Sequence, residues 1–193
     1  MAPPTQLPRL DQLDPLVVAG EACRLVLDHV ARYAVPLSPG VTLDLRGDMT
    51  ADRAAASTGI GLTVQDLTRY AQRGELGDWP DASCAEDALI EVCSALYGCA
   101  GEPGTFGLGE LEGETDIETP IGVVLVAAHG RWRVAMRQAV TVKAVAALAS
   151  LSVNAIDALI KDGEIRLASE KRPRTIAPKE ARRFLGARGV PGF

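Results

Sequence analysis

The chain has 193 residues, 47% of them apolar, and a formal net charge of −5, enough length and apolar content for one substantial core or two small ones. The opening MAPPTQLPRL has neither the charged start nor the apolar run of a secretion signal, and no apolar stretch approaches about 18 uninterrupted residues, so a soluble, cytoplasmic protein is expected. Cys23, Cys84, Cys93 and Cys99 lack CxxC spacing and form no usual zinc pattern with His129; free thiols are expected, with no metal and no cofactor.

Residues 1–13 are polar and Pro-containing and read as a flexible arm. Asp14-Pro15 is a cap followed by a first-turn proline, opening a helix through LVVAGEACRLVLDHVARYA with Leu16, Ala19, Cys23, Val26, Leu27 and Val30 on one face. An irregular stretch and the Ala-rich RAAASTGIG lead into a helical LTVQDLTRYAQRGEL, residues 62–76. Ser83 with Glu86 makes a capping-box pattern for a helix over CAEDALIEVCSALY. An acidic, Gly-rich connector follows at 101–118. Thr119-Pro120 repeats the cap-then-proline signal ahead of IGVVLVAAHGRWRVAM, read as a helix, with a buried strand over VVLVAA as the alternative. The domains expected are thus 14–100 and 119–193, on either side of the connector.

Placing LTVQDLTRYAQRGEL over LSVNAIDALIKDGEI, residues 151–165, aligns Leu, Thr/Ser, Val, Gln/Asn, Leu/Ile, Gly and Glu without a gap. Two related helix-turn-helix units account for this repeat. In the second, Val142, Val145, Ala146 and Ala149 give a short helix an apolar face, Ser150-Leu151-Ser152 forms the turn, and Ser152 caps a helix with Ile156, Leu159 and Ile160 inward and Val153, Asn154, Asp157, Ala158 and Lys161 outward. Gly163 is the expected left-handed stop. Ile165-Arg166-Leu167 and Thr175-Ile176-Ala177 then pair as short strands around SEKRPR, and Pro178 opens a last helix, KEARRFLGAR. The fold class expected is mainly α, with two helix-turn-helix units, the C-terminal one winged by a short β-hairpin.

These residues, TVKAVAALASLSVNAIDALIKDGEI with the basic hairpin and PKEARRFL, resemble the winged helix-turn-helix shared by excisionases and the DNA-binding domains of MerR-type regulators. The resemblance covers about the last fifty residues. It implies that Ser152, Asn154 and Lys161 meet the major groove and that Arg166, Lys171, Arg172 and Arg174 serve the wing, where Lys171, Arg172 and Arg174 hold the backbone or enter the minor groove. The turn glycine of the usual pattern is here Ser150, and Asp157 stands where phosphate would repel it. In the first copy, Gln65, Thr68 and Arg69 occupy the base-reading positions, yet LGDWPD supplies no basic wing.

Charge is distributed unevenly. Residues 137–193 hold eleven Lys or Arg against five Asp or Glu, a net +6, which leaves −11 for residues 1–136. Because duplex affinity comes largely from cations on phosphates, the basic tail is the candidate contact surface and the first copy reads as a packing unit. The function expected is a sequence-specific DNA-binding transcriptional regulator, a repressor or autoregulator acting as a homodimer on double-stranded DNA. The alternatives are an excisionase-like architectural factor and a protein-interaction module or anti-regulator using the acidic centre. No Ser-His-Asp pattern, phosphate-cradling loop or ligand cluster marks a catalytic site, so an enzyme is not expected.

Overall fold

The computed structural model describes residues 8–37, 58–97 and 117–193. RAAAS, most of the 101–118 connector, Cys99 and residues 1–7 of the expected arm lie outside them. The described residues are mainly helical, with seven α-helices and one small antiparallel sheet: α1 (Pro15–Leu37), α2 (Gly59–Arg73), α3 (Cys84–Tyr97), α4 (Pro120–Ala135), β1 (Val140–Thr141), α5 (Val142–Leu148), α6 (Val153–Lys161), β2 (Leu167–Ser169), β3 (Thr175–Ile176) and α7 (Pro178–Ala187). No single described helix is long and apolar enough to cross a membrane.

Helix α4 is the axis of the molecule. Thr119 accepts a hydrogen bond from the Gly122 amide at 3.1 Å, Pro120 sits in the first turn, and Glu21 of α1 accepts from the Ile121 amide at 3.2 Å. A cap, a proline and a carboxylate therefore converge on the positive end of the helix. Burial outweighs the bond to the amide, and the Glu21 carboxyl is raised above its usual range. Residues from Ile121 to Trp132 are buried all round, which explains why VVLVAA carries no helical period in the sequence. Gly130 has a packing role: a Cβ there would lie 2.7 Å from Ala144 Cβ and 3.3 Å from Leu148 Cδ1, so its absence lets the side chains of α5 rest directly on the α4 backbone.

Around α4 the other helices bury small faces. Among the described side chains of α1, residues 15–27, the inward ones are Val18, Ala19, Ala22 and Cys23, whereas Leu16 and Leu27, expected on that face, are each 44% exposed; Val30 lies outside the described side chains. The alanines let α2 cross closely, so this packing is centred on small side chains rather than on the longest ones. Helix α2 is capped by Thr58, which accepts from Gly61 N, and stops at Gly74 with φ +75°. Gly163 has φ +78° after α6, so the repeat holds at both left-handed stops. It does not hold at the starts: Ser152 precedes α6, while its counterpart Thr63 lies inside α2, which begins four residues earlier. In α3, Ser83 turns its hydroxyl to Asp81 Oδ1, so the expected capping-box bond to the helix is replaced by a local turn.

The described part of the N-terminal arm is docked. Leu10 is 3% exposed, and Gln72 Nε2 of α2 donates to the Leu10 and Leu13 carbonyls at 2.9 and 2.7 Å. One apolar side chain and two satisfied carbonyls offset the ordering of this short segment. Leu10 joins a core that runs without a break through Val64, Leu67, Leu89, Leu125, Val145, Ile156 and Leu185, shared by residues on both sides of the connector.

Two buried acids make stability depend on alkaline pH. Burial raises the Cys93 thiol from its ordinary 9.0 to about 12 and the Tyr70 phenol from 10.0 to about 12, the latter opposed by the Arg131 charge. The unfolded chain loses these protons first, so the folded state binds more protons and stability falls as pH rises, beginning near 9 for Cys93. Arg131, lowered to about 10 by burial, acts in the opposite direction at higher pH. Between pH 9 and 10 the effects of Tyr70 and Arg131 begin together with opposite signs, which leaves Cys93 as the main contributor. Cys93→Ala is expected to flatten the decline in unfolding free energy across that window, measured by denaturant titration; an unchanged slope would remove the thiol as its cause.

Candidate nucleic-acid interface

Two short helices with local caps begin the C-terminal unit. Thr141 accepts from the Ala144 amide at the start of α5, and Ser152 accepts from the Ala155 amide at the start of α6, each at 3.1 Å. Between them the chain bends by 111° within residues 149–152. The bend requires Ser150 at φ 52°, a left-handed conformation that costs an L-residue roughly 1–2 kcal/mol. Its hydroxyl donates to Asp11 Oδ1 at 3.4 Å, a long bond that offsets little of this. Ser150→Gly is accordingly expected to stabilise the fold by about 1 kcal/mol, read from the denaturation midpoint at constant cooperativity. A destabilised variant would show the Asp11 contact to be worth more than the strain.

Helix α6 leans on the core through fully buried Ile156 and half-buried Leu159 and Ile160. Its outer stripe, at helical spacings of three and four, is Asn154, Asp157, Ala158 and Lys161. Asn154 and Lys161 are exposed, as is Ser152 at the cap. Gly163 ends the helix, and α7 then claims the backbone that follows: Glu180 accepts from the Arg166 amide at 3.2 Å, and Arg183 donates to the Glu164 carbonyl at 2.7 Å. Those bonds explain why strand pairing begins at Leu167 instead of at Ile165 as the sequence suggests. Hydrogen bonding to Arg183 lowers the Glu180 carboxyl.

The sheet order is β1-β3-β2, with Val140 opposite Ile176 and Leu167 opposite Ile176 on the other edge. Strand β1, unforeseen in the sequence, ties the hairpin to the start of α5. The hairpin tip presents exposed Lys171 and Arg172, and the exposed Arg166 lies just ahead of β2. Among the described residues, Lys161, Arg166, Lys171 and Arg172 form no ion pair. Arg174 differs from them. Its carbonyl accepts from the Val142 amide at 3.1 Å, and its Nη2 meets Asp157 Oδ1 at 2.7 Å, with the two side chains 36% and 28% exposed.

The first copy of the repeat has no such surface. Gln65 and Thr68 are buried and donate to Gly61 O and Val64 O of their own helix, and Arg69 pairs with Asp66 at 2.9 Å. The sequence placed Gln65 and Thr68 at base-reading positions; packing of α1, α3 and α4 around α2 turns them inward instead. A cavity of about 340 Å³ lies where the ends of α2 and α7 meet the turn after α5, with Arg9, Arg73 and Arg188 at its wall. Three helix C-termini direct partial negative charge there, Asp11 and Glu75 pair with Arg9 and Arg73, and the Arg188 guanidinium carbon lies 5.1 Å from the centre of the Phe184 ring. No cluster of three potential metal-binding side chains occurs among the described residues. Comparison with protein-family models, with curated proteins and with solved structures finds nothing that matches this chain.

Proposed function

We propose that the C-terminal unit binds double-stranded DNA as a winged helix-turn-helix, with α6 in the major groove and the β2–β3 hairpin as wing, and that the protein is a homodimeric, sequence-specific transcriptional regulator. The observation that carries this reading is the junction of α5 and α6. A bend of 111° over a four-residue turn with a left-handed residue falls within the geometry of DNA-reading helix pairs, and a hairpin tipped by unpaired Lys171 and Arg172 follows it. The net charge of −11 over residues 1–136 repels phosphate and orients the basic end toward the duplex.

A second reading is favoured by the outer stripe of α6, where Asn154 and Lys161 are the only long or amide-bearing donors beside Ala158 and the paired Asp157. So few base-reading groups suit an architectural, excisionase-like factor that recognises DNA by shape and bends it. Selection of bound fragments from sheared genomic DNA tests the main reading, with fragments sharing a common sequence as the expected result. Binding without a shared sequence, combined with bending in circular-permutation assays, would favour the architectural reading. Failure to retain any fragment at low salt would remove both.

A further inference from the structure

The Asp157–Arg174 pair joins the outer stripe of α6 to the root of the hairpin. Resting on the DNA-binding reading above, we propose that Asp157 is an internal substitute for a DNA phosphate: it occupies the Arg174 guanidinium, which makes Arg174 a positioning residue and holds down affinity for random duplex.

Three features carry this. The first is geometry: Arg174 is anchored by its carbonyl to the Val142 amide and by Nη2 to Asp157 Oδ1 at 2.7 Å, so one residue ties the start of α5, the hairpin root and α6 together. The second is contrast, because Lys161, Arg166, Lys171 and Arg172 stand in no ion pair among the described residues, and of the expected contact cations only Arg174 stands in one there. The third is placement: Asp157 lies one helical turn from both Asn154 and Lys161 on the stripe that would face the groove. An unpaired carboxylate there would repel phosphate; the pair cancels that charge and withdraws one cation from the phosphate contacts. Since binding to random sequence depends on the number of cations on phosphates, the withdrawal lowers it while leaving Asn154 and Lys161 free to meet bases. The same pair fixes the hairpin relative to α6, and so fixes where Lys171 and Arg172 fall on the duplex.

The test is the salt dependence of binding to a random-sequence 30-base-pair duplex. Each phosphate contact adds about 0.9 to the slope of log affinity against log salt, or about eightfold in affinity between 1 M and 0.1 M salt. Asp157→Asn should release Arg174, steepening the slope by about 0.9 and raising affinity near 0.1 M by about eightfold. Asp162→Asn makes the same change in charge at an exposed residue of the neighbouring turn with no ion pair, and should give less than half that change in slope. The double variant Asp157→Asn/Arg174→Gln should keep the wild-type slope, because the pair it removes is neutral and meets no phosphate. A double variant shallower by about 0.9 would show that Arg174 contacts phosphate in the wild type, and a slope unchanged in Asp157→Asn would show that the pair withholds nothing; either result overturns the proposal. Thermal melts of each variant separate these readings from loss of fold. Wild-type protein that binds no duplex at low salt would instead overturn the DNA-binding reading itself.

Discussion

Replacing Lys171 and Arg172 together with alanine is expected to weaken binding to any duplex by about 60-fold near 0.1 M salt, with the log–log salt slope shallower by about 1.8. Both side chains are exposed at the hairpin tip and neither is in an ion pair, so each is available to displace counterions from a phosphate. The loss should be nearly equal for specific and random sequences, because phosphate contacts position a protein without reading bases. Removing both should cost little stability, since two exposed side chains outside the core bury almost nothing. Fluorescence anisotropy across a salt series checks the prediction. An unchanged slope with intact folding would remove the hairpin tip from the contact surface and leave α6 to account for binding by itself.

The largest effect on stability is expected from Arg131→Ala, a loss of about 3 kcal/mol and a fall in melting temperature of roughly 10 °C. Arg131 projects from α4, is 4% exposed, and forms no ion pair among the described residues. Its Nε and Nη2 donate to the Ala71 carbonyl at 3.2 and 3.1 Å, so a cation from one helix closes the C-terminal end of another. The guanidinium carbon lies 4.3 Å from the centre of the Phe193 ring. Around it the backbone is stripped of side chains: a Cβ at Gly74 would fall 2.9 Å from Nη1, and one at Gly192 would fall 2.8 Å from it. Burial lowers the Arg131 pKa to about 10, the mark of a charge held at a desolvation cost.

Arg131→Met separates the two sides of that balance. Methionine keeps much of the stem volume and removes the desolvated charge, but leaves the α2 carbonyls without their donor. An intermediate loss of about 1–2 kcal/mol is expected, measured by denaturant titration. A methionine variant as stable as the wild type would show that the bonds to α2 only balance the cost of burying the charge.

Several local features of this fold are legible in the chain itself. Thr119-Pro120, Ser152, Pro178 and the stops Gly74 and Gly163 all mark true helix ends. Caps and left-handed stops are made by atoms within a few residues of one another, so the sequence states them directly. The exposed cations of the hairpin and the stripe Asn154, Asp157, Ala158 and Lys161 are legible for the same reason. The internal repeat was a weaker guide, since its similarity extends over positions that are surface in α6 and interior in α2.

What the sequence by itself determined, then, is where helices start and stop and where positive charge collects, both consequences of local chemistry. Only the tertiary structure decided which faces are inside, turning Gln65 and Thr68 inward while leaving Leu16 and Leu27 in solvent. It also decided the partners of the two informative arginines. Arg174 meets a carboxylate 17 residues away, and Arg131 reaches a carbonyl 60 residues away. Neither spacing has a period or a motif, because each contact is set by how separate helices pack around α4, and packing depends on the whole core at once.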